Sequence, residues 1–256
     1  MKTPDTILTT PGIEKSILLV RECVSLGCLG AISGVPGTGK TVALRAIESR
    51  YHTLNLPGNC TYHRCCATAG PTRGIKDMLD SLGLRHGLLP GTSTLQLTVR
   101  VAQRELATRQ IRVLLLDEAD AWDVPSLQGL IALYDATLSA GQPVSIIFSG
   151  SVHVVKWLDK YTAAISRTLR CEEFSNLSIA LSVSILQQWA DPFCQFAESY
   201  NAQKIEALKA VKIIHKATGG NLRRLNYFAK LFLLEHQEVT PESVTQTLSK
   251  MIVENK

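Results

Sequence analysis

Gly34-Val-Pro-Gly-Thr-Gly-Lys40-Thr41 is the stretch on which the reading of this chain turns. Glycines at 34 and 39, followed by lysine and threonine, match the phosphate-loop pattern Gly-x-x-x-x-Gly-Lys-Ser/Thr at every specified position. The chemistry accounts for each residue type. Glycine lets the backbone bend so that successive N–H groups face phosphate oxygens. The helix that follows turns its positive end toward the anion. Lys40 brings charge to the β- and γ-phosphates, and the Thr41 hydroxyl is placed to ligate Mg²⁺. The nucleotide-binding set read from this stretch is Gly34, Val35, Pro36, Gly37, Thr38, Gly39, Lys40, Thr41 and the adjoining Val42. The context agrees, with a short apolar strand before the loop and a helix after it.

Two further strands would complete a site. Val113-Leu-Leu-Leu-Asp117-Glu118 is an apolar run ending in two carboxylates. It reads as a central strand buried on both faces, whose end opens into the crevice beside the loop. Asp117 would hold Mg²⁺, and Glu118 would orient and activate the attacking water. Alone, such a pair reads equally as charges at a helix start; the phosphate loop upstream favours the catalytic reading. Val144-Ser-Ile-Ile-Phe-Ser149-Gly-Ser151 also ends in small polar groups. A hydroxyl on Ser149 or Ser151 would hold the water or sense the γ-phosphate. Hydrolysis of this kind often uses an arginine, sometimes a neighbour's. Arg167 is the first choice and Arg170 its alternative. The expected catalytic set is therefore Lys40, Glu118, Ser151 and Arg167. Arg223 follows Gly219-Gly-Asn in the first turn of a helix, where positive charge opposes the dipole. That local cost suggests a contact with nucleotide.

Gly and Pro punctuation predicts alternating elements up to Phe174. The strands are 28–33, 60–67, 113–117, 144–149 and 168–171. Helices cover 13–26, 40–51, 72–82, 94–109, 125–140 and 154–158. Beyond Phe174 only helices are predicted, at 182–200, 205–218, 221–236 and 241–254. Leu222, Leu225, Phe228, Ala229 and Phe232 recur there at helical spacing. The expected fold is α/β: a parallel sheet flanked by helices over 1–174, then a small helical lid over 175–256.

With 256 residues and 45% hydrophobic content, the chain has material for a sizeable core. No run approaches the ~20 apolar residues of a membrane span, and MKTPDTILTTPG lacks the apolar centre of a secretion signal. Seven cysteines fit a reducing cytoplasm better than a disulfide scaffold. Cys60-x-x-His63-x-Cys65-Cys66 is not a standard zinc spacing, and a strand would turn these side chains to opposite faces. Of the net charge of +5, the segment 71–112 carries +4, from seven Lys/Arg against three Asp/Glu. That local basic surface suits an anionic polymer or, equally, a solvated helix face.

The order of these pieces resembles the AAA+ superfamily, and their wording resembles the branch of TnsC, MuB and TniB transposition regulators, with their relative ExeA. The carrying segments are Gly34–Thr41, Leu115-Leu-Asp-Glu-Ala-Asp120, Ile147-Phe-Ser-Gly-Ser151 and Thr218-Gly-Gly-Asn-Leu-Arg-Arg224. The resemblance implies an ATP- and Mg²⁺-dependent ATPase that forms rings or helical filaments on duplex DNA. Such proteins mark target DNA and recruit a transposase, in some cases with a targeting protein. It implies DNA contacts in Ala69-Gly-Pro-Thr72-Arg73 and Gly91-Thr92-Ser93, with Lys76 and Arg100 adding salt-sensitive attraction. It also implies that Thr10-Pro11-Gly12-Ile13 cradles adenine. The chain departs from the branch at Thr72, where most members carry a basic residue; here the charge is at Arg73. The competing expectations are an ExeA-like assembly ATPase acting on a protein partner, and a replication-initiation or helicase-loading ATPase.

Overall fold

The computed structural model describes residues 10–67, 70–83, 94–189 and 191–253. They fall into two compact units. One comprises Pro11–Val35 and Lys40–Phe174; the other comprises Ser175–Lys256 together with loop residues Pro36–Gly39.

The first unit runs α1 (Pro11–Leu26), β1 (Leu29–Gly34), α2 (Lys40–Arg50), β2 (Asn59–Arg64), α3 (Arg73–Ser81), α4 (Leu95–Thr108), β3 (Ile111–Asp117), α5 (Val124–Ser139), β4 (Ser145–Ser149), α6 (Val154–Asp159), α7 (Thr162–Ile165) and β5 (Thr168–Phe174). The five strands form one parallel sheet in the order β2-β3-β4-β1-β5. Parallel strands need crossovers, and helices supply them on both faces. β1, β3 and β4 are accordingly apolar and almost wholly buried. On one face Leu114, Leu116, Ile146 and Phe148 join the core built by α3, α4 and α5. On the other, Gly30 lies against Leu19 and Cys23 of α1 and against Ile147.

The register places the chemistry. Leu116 pairs with Phe148 and Arg64 with Asp117, while Gly34 pairs with Phe174. The C-terminal ends of β2, β3, β4 and β1 therefore lie side by side, which is where ligands of open α/β sheets bind.

The second unit holds α8 (Ile179–Gln187), α9 (Asp191–Asn201), α10 (Ile205–Thr218), α11 (Leu222–Glu235) and α12 (Pro241–Val253). Leu225, Phe228, Ala229 and Phe232 form the buried face of α11, against Phe193 and Val244. Gly37 sits at φ +84°, and a Cβ there would lie 2.5 Å from Asn221 Oδ1, so only glycine suits the position.

Several boundaries differ from the sequence reading. The single helix expected over 182–200 is two, because Pro192 lacks an N–H and fits only a first helical turn, here that of α9. β2 stops at Arg64 rather than at 67, because its partner β3 ends at Asp117 and the next residue, Glu118, is left-handed. β5 continues to Phe174 because β1 offers a ladder out to Gly34. α7 has four residues, too few to show a period. Among the described residues no helix is long and apolar enough to cross a membrane.

Leu116 is fully buried within the sheet-and-helix core. Leu116→Ala should lower the unfolding free energy of the α/β unit by about 2–5 kcal/mol, through lost transfer energy and a residual cavity. Denaturant titration of purified wild-type and variant protein checks it; a loss below about 1 kcal/mol would contradict this packing.

Candidate functional site

The site is organised by the carboxylate of Asp117, which is 2% exposed. A buried carboxylate is costly unless its lone pairs are satisfied. Here each oxygen receives two donors. Oδ2 accepts from Thr41 Oγ1 at 2.7 Å and from the Tyr62 hydroxyl at 3.0 Å. Oδ1 accepts from Ser149 Oγ at 3.0 Å and from the Glu118 N–H at 3.1 Å. Burial, then the neighbouring carboxylate, pushes the Tyr62 phenol well above its ordinary value, so it remains a donor.

Lys40 leads α2 out of the phosphate loop, and its Nζ donates to the Gly34 and Val35 carbonyls at 2.7 and 3.1 Å. The ammonium thus caps the loop's own oxygens at the place where phosphate charge would be met. Thr38 is buried, while Val35 and Val42 are exposed. Within the helical unit, Asn221 Nδ2 donates to the Pro36 carbonyl at 2.9 Å and the Arg223 N–H to the Gly37 carbonyl at 3.0 Å. Asn221 also caps α11 by accepting from the Arg224 N–H.

Glu118 occupies the left-handed region at φ +54°, uncommon for a residue with a side chain. Its carboxylate takes a two-pronged ion pair from Arg64, with Nε to Oε2 at 3.0 Å and Nη2 to Oε1 at 2.8 Å. Both side chains are more than half exposed, so the pair adds little to stability. Its significance is chemical: Arg64 occupies both oxygens of Glu118, which must be freed before that carboxylate can meet a water.

Of Ser149, which ends β4, and Ser151, which follows it, Ser149 is the one on Asp117. Ser151 is engaged by Asp120, whose Oδ2 accepts from Ser151 Oγ at 2.5 Å and from its N–H at 3.0 Å. Arg167 lies before β5, at the opposite end of that strand from Phe174 and Gly34. It is tied to Asp135 by two bonds, at 2.9 and 3.1 Å, and to the Ala163 carbonyl at 2.7 Å. Arg170 pairs with Glu22 and Glu172. Ile13 is buried in α1, next to Gly12, which packs on the Phe174 ring.

The residues expected to meet DNA lie at the start of α3 and on α4. Thr72 precedes α3, Arg73 opens it exposed, Lys76 is half-buried, and Arg100 is exposed on α4. Thr92 lies outside the described residues. The loop before α3 is clasped by the segment that follows Glu118. The Gly70 N–H donates to Asp123 Oδ2 at 3.0 Å, and Ser126 Oγ donates to the Gly70 carbonyl at 3.1 Å. A Cβ on Gly129 would overlap the Pro71 carbonyl. Burial would raise the Asp123 carboxyl, but hydrogen bonds from Ser126 and Gly70 outweigh it and hold the group below its usual range.

This arrangement has a match among protein families. The model for the AAA domain covers residues 26–158, just over half of the chain. The chain belongs to the AAA domain family. No curated protein matches its sequence. Among solved structures, this AAA chain is similar to the ORC2 protein of Aeropyrum pernix, solved as ADPNP–ADP complexes, with TM-score 0.65 and 12% identity. That match covers 93% of this chain and 66% of the other, so the chain spans about two thirds of its length. The ORC1 protein of the same organism, in complex with DNA, gives TM-score 0.61 at 18% identity over 97% of this chain and 68% of its own. Cdc6p from Pyrobaculum aerophilum gives 0.66 at 15%, over 96% and 69%. At such identities the likeness is one of fold.

Sequence reasoning missed Tyr62, Arg64 and Asp120. Tyr62 and Arg64 alternate at the end of β2 and so share a face, a signal obscured by the Cys-His wording around them. Glu118→Gln should lower ATP hydrolysis by about 10²-fold or more, as loss of a general base does. Arg64→Ala should raise basal hydrolysis several-fold by releasing Glu118. Phosphate-release assays check both; a rate for Arg64→Ala equal to wild type would show that the pair does not restrain Glu118.

Proposed function

We propose that this chain is an AAA-family ATPase whose nucleotide state controls its grip on duplex DNA, and that it acts as a regulator of DNA transposition. One observation carries the first part. The segment 118–126 begins at the candidate catalytic Glu118 and ends clasping the loop that opens α3, where Thr72, Arg73 and Lys76 stand. A shift of Glu118 toward a nucleotide would thus be felt where exposed Arg73 and half-buried Lys76 stand.

The residues suit Mg²⁺ and ATP. Thr41 Oγ1 and Asp117 Oδ2, hard oxygen donors 2.7 Å apart, fit Mg²⁺. Bound Mg²⁺ would offset the charge of the β- and γ-phosphates. Lys40 would exchange the Gly34 and Val35 carbonyls for phosphate oxygens. Glu118, once parted from Arg64, would orient the attacking water and accept its proton. We assign the polar sensing role to Ser149 rather than Ser151, because Ser149 touches Asp117. Arg223, whose N–H holds Gly37, is assigned to the nucleotide. Arg167 is assigned to a neighbouring subunit's nucleotide, completing the site in a ring or filament. The core and lid divide after Phe174 in this reading.

The transposition assignment rests on the resemblance of four segments to TnsC, MuB and TniB, and implies a transposase and, in some systems, a targeting protein as partners. The free cysteines Cys23, Cys28, Cys60, Cys65, Cys66, Cys171 and Cys194 suit a cytoplasmic setting. A second reading, replication initiation, is favoured by the fold likeness to the ORC and Cdc6 structures.

Electron microscopy with duplex DNA and a non-hydrolysable ATP analogue should show regular rings or filaments, lost in Lys40→Ala. DNA affinity should fall steeply with salt, by about 0.9 in the log–log slope per phosphate contacted. No DNA binding at low salt would overturn the proposal. Isolated particles confined to one DNA sequence would favour replication initiation. Asp123→Ala should keep DNA-free hydrolysis while losing the nucleotide dependence of DNA affinity, read by fluorescence anisotropy.

A further inference from the structure

Tyr62 belongs to none of the conventional phosphate-loop parts, yet it touches the residue on which they converge. Its hydroxyl donates to Asp117 Oδ2, the same oxygen that accepts from Thr41. The ring is held on several sides. The Arg45 guanidinium lies 3.6 Å from its centroid. The Tyr62 N–H donates to Glu48 Oε1 at 3.0 Å, and Arg45 Nη1 pairs with Glu48 Oε2 at 2.8 Å. Thr41, Arg45 and Glu48 are spaced by four and three residues along α2, so they share one helix face. That face reaches Asp117 twice, directly through Thr41 and indirectly through Tyr62.

We infer that Tyr62 is a positioning residue for the metal-holding carboxylate of Asp117; this rests on the reading that the site takes Mg²⁺ with ATP. The argument is one of hydrogen-bond supply. If Mg²⁺ takes the Oδ2 lone pair that the Thr41 hydroxyl now occupies, that hydrogen bond gives way. Tyr62 then remains as the side-chain donor on Oδ2, opposite Ser149 on Oδ1, one on each side of the carboxylate. These two side-chain donors fix the plane of the group and, with the Glu118 N–H also on Oδ1, leave one lone pair on Oδ2 for the metal. Outer partners of metal ligands commonly affect metal affinity by about 10–100-fold. The neighbouring Arg64 acts from the same face of β2 on Glu118, so this strand holds both members of the acidic pair.

Tyr62→Phe removes the hydroxyl and keeps the ring, its burial and the Arg45 contact. The test titrates Mg²⁺ against binding of a fluorescent ATP analogue, alongside the Mg²⁺ dependence of hydrolysis. The expected result is an Mg²⁺ half-saturation raised about tenfold, with Mg²⁺-free nucleotide affinity unchanged and most of the hydrolysis rate recovered at saturating Mg²⁺. Arg45→Met loosens Tyr62 without altering any group on Asp117 and should shift half-saturation the same way by a smaller factor. A purely structural tyrosine would lower the unfolding midpoint and leave the Mg²⁺ half-saturation within twofold of wild type; that outcome in both variants overturns the assignment. Wild-type protein that binds the analogue without any Mg²⁺ dependence overturns the Mg²⁺–ATP reading itself, and this assignment with it.

Discussion

A carboxylate buried at the end of a central strand is the constraint around which this molecule is arranged. Four donors from four places in the chain converge on Asp117: Thr41 after the phosphate loop, Tyr62 on β2, Ser149 at the end of β4 and the N–H of Glu118. Leaving such a group unpaired in an apolar core would cost several kcal/mol. The sheet order β2-β3-β4-β1-β5 brings those donors together by setting β3 between β2 and β4. Strand order, loop placement and polar contacts are thus mutually dependent.

The same constraint explains the strain beside it. Glu118, the first residue after β3, takes a left-handed conformation ahead of a short helical turn at Ala119–Ala121. Such a conformation costs about 1–3 kcal/mol and persists where surrounding contacts over-determine it. It turns the Glu118 side chain to Arg64 and its N–H to Asp117. The following residues tie two loops to one short segment. Asp120 takes the loop after β4 through Ser151, and Asp123 takes the loop before α3 through Gly70. Movement at Glu118 therefore has little freedom to remain local.

Much of the fold was legible in order of elements, because buried parallel strands are apolar runs and their helices are amphipathic. What was not legible has particular causes. Pro192 was visible, yet one helix was expected over 182–200, where its missing N–H in fact sets it in the first turn of α9. Glu172 and Glu173 weakened the strand signal of β5, which its pairing with β1 supplies instead. In the site, Ser149 and Ser151 are equivalent on paper; a two-residue offset at the end of a strand decides which one faces Asp117 and which faces Asp120.

From residues 34–41 and 113–118 alone it followed that a phosphate-binding loop and an acidic strand end must be present, because backbone bending, lysine charge and paired carboxylates are local chemical properties. Tertiary structure alone decided which groups complete them. Tyr62 and Arg64 lie more than fifty residues before Asp117 and Glu118 and carry no motif. They meet those carboxylates because β2 pairs in parallel with β3, in the register that sets Arg64 opposite Asp117. Register is settled by the packing of whole strand faces, and no short window of sequence contains it.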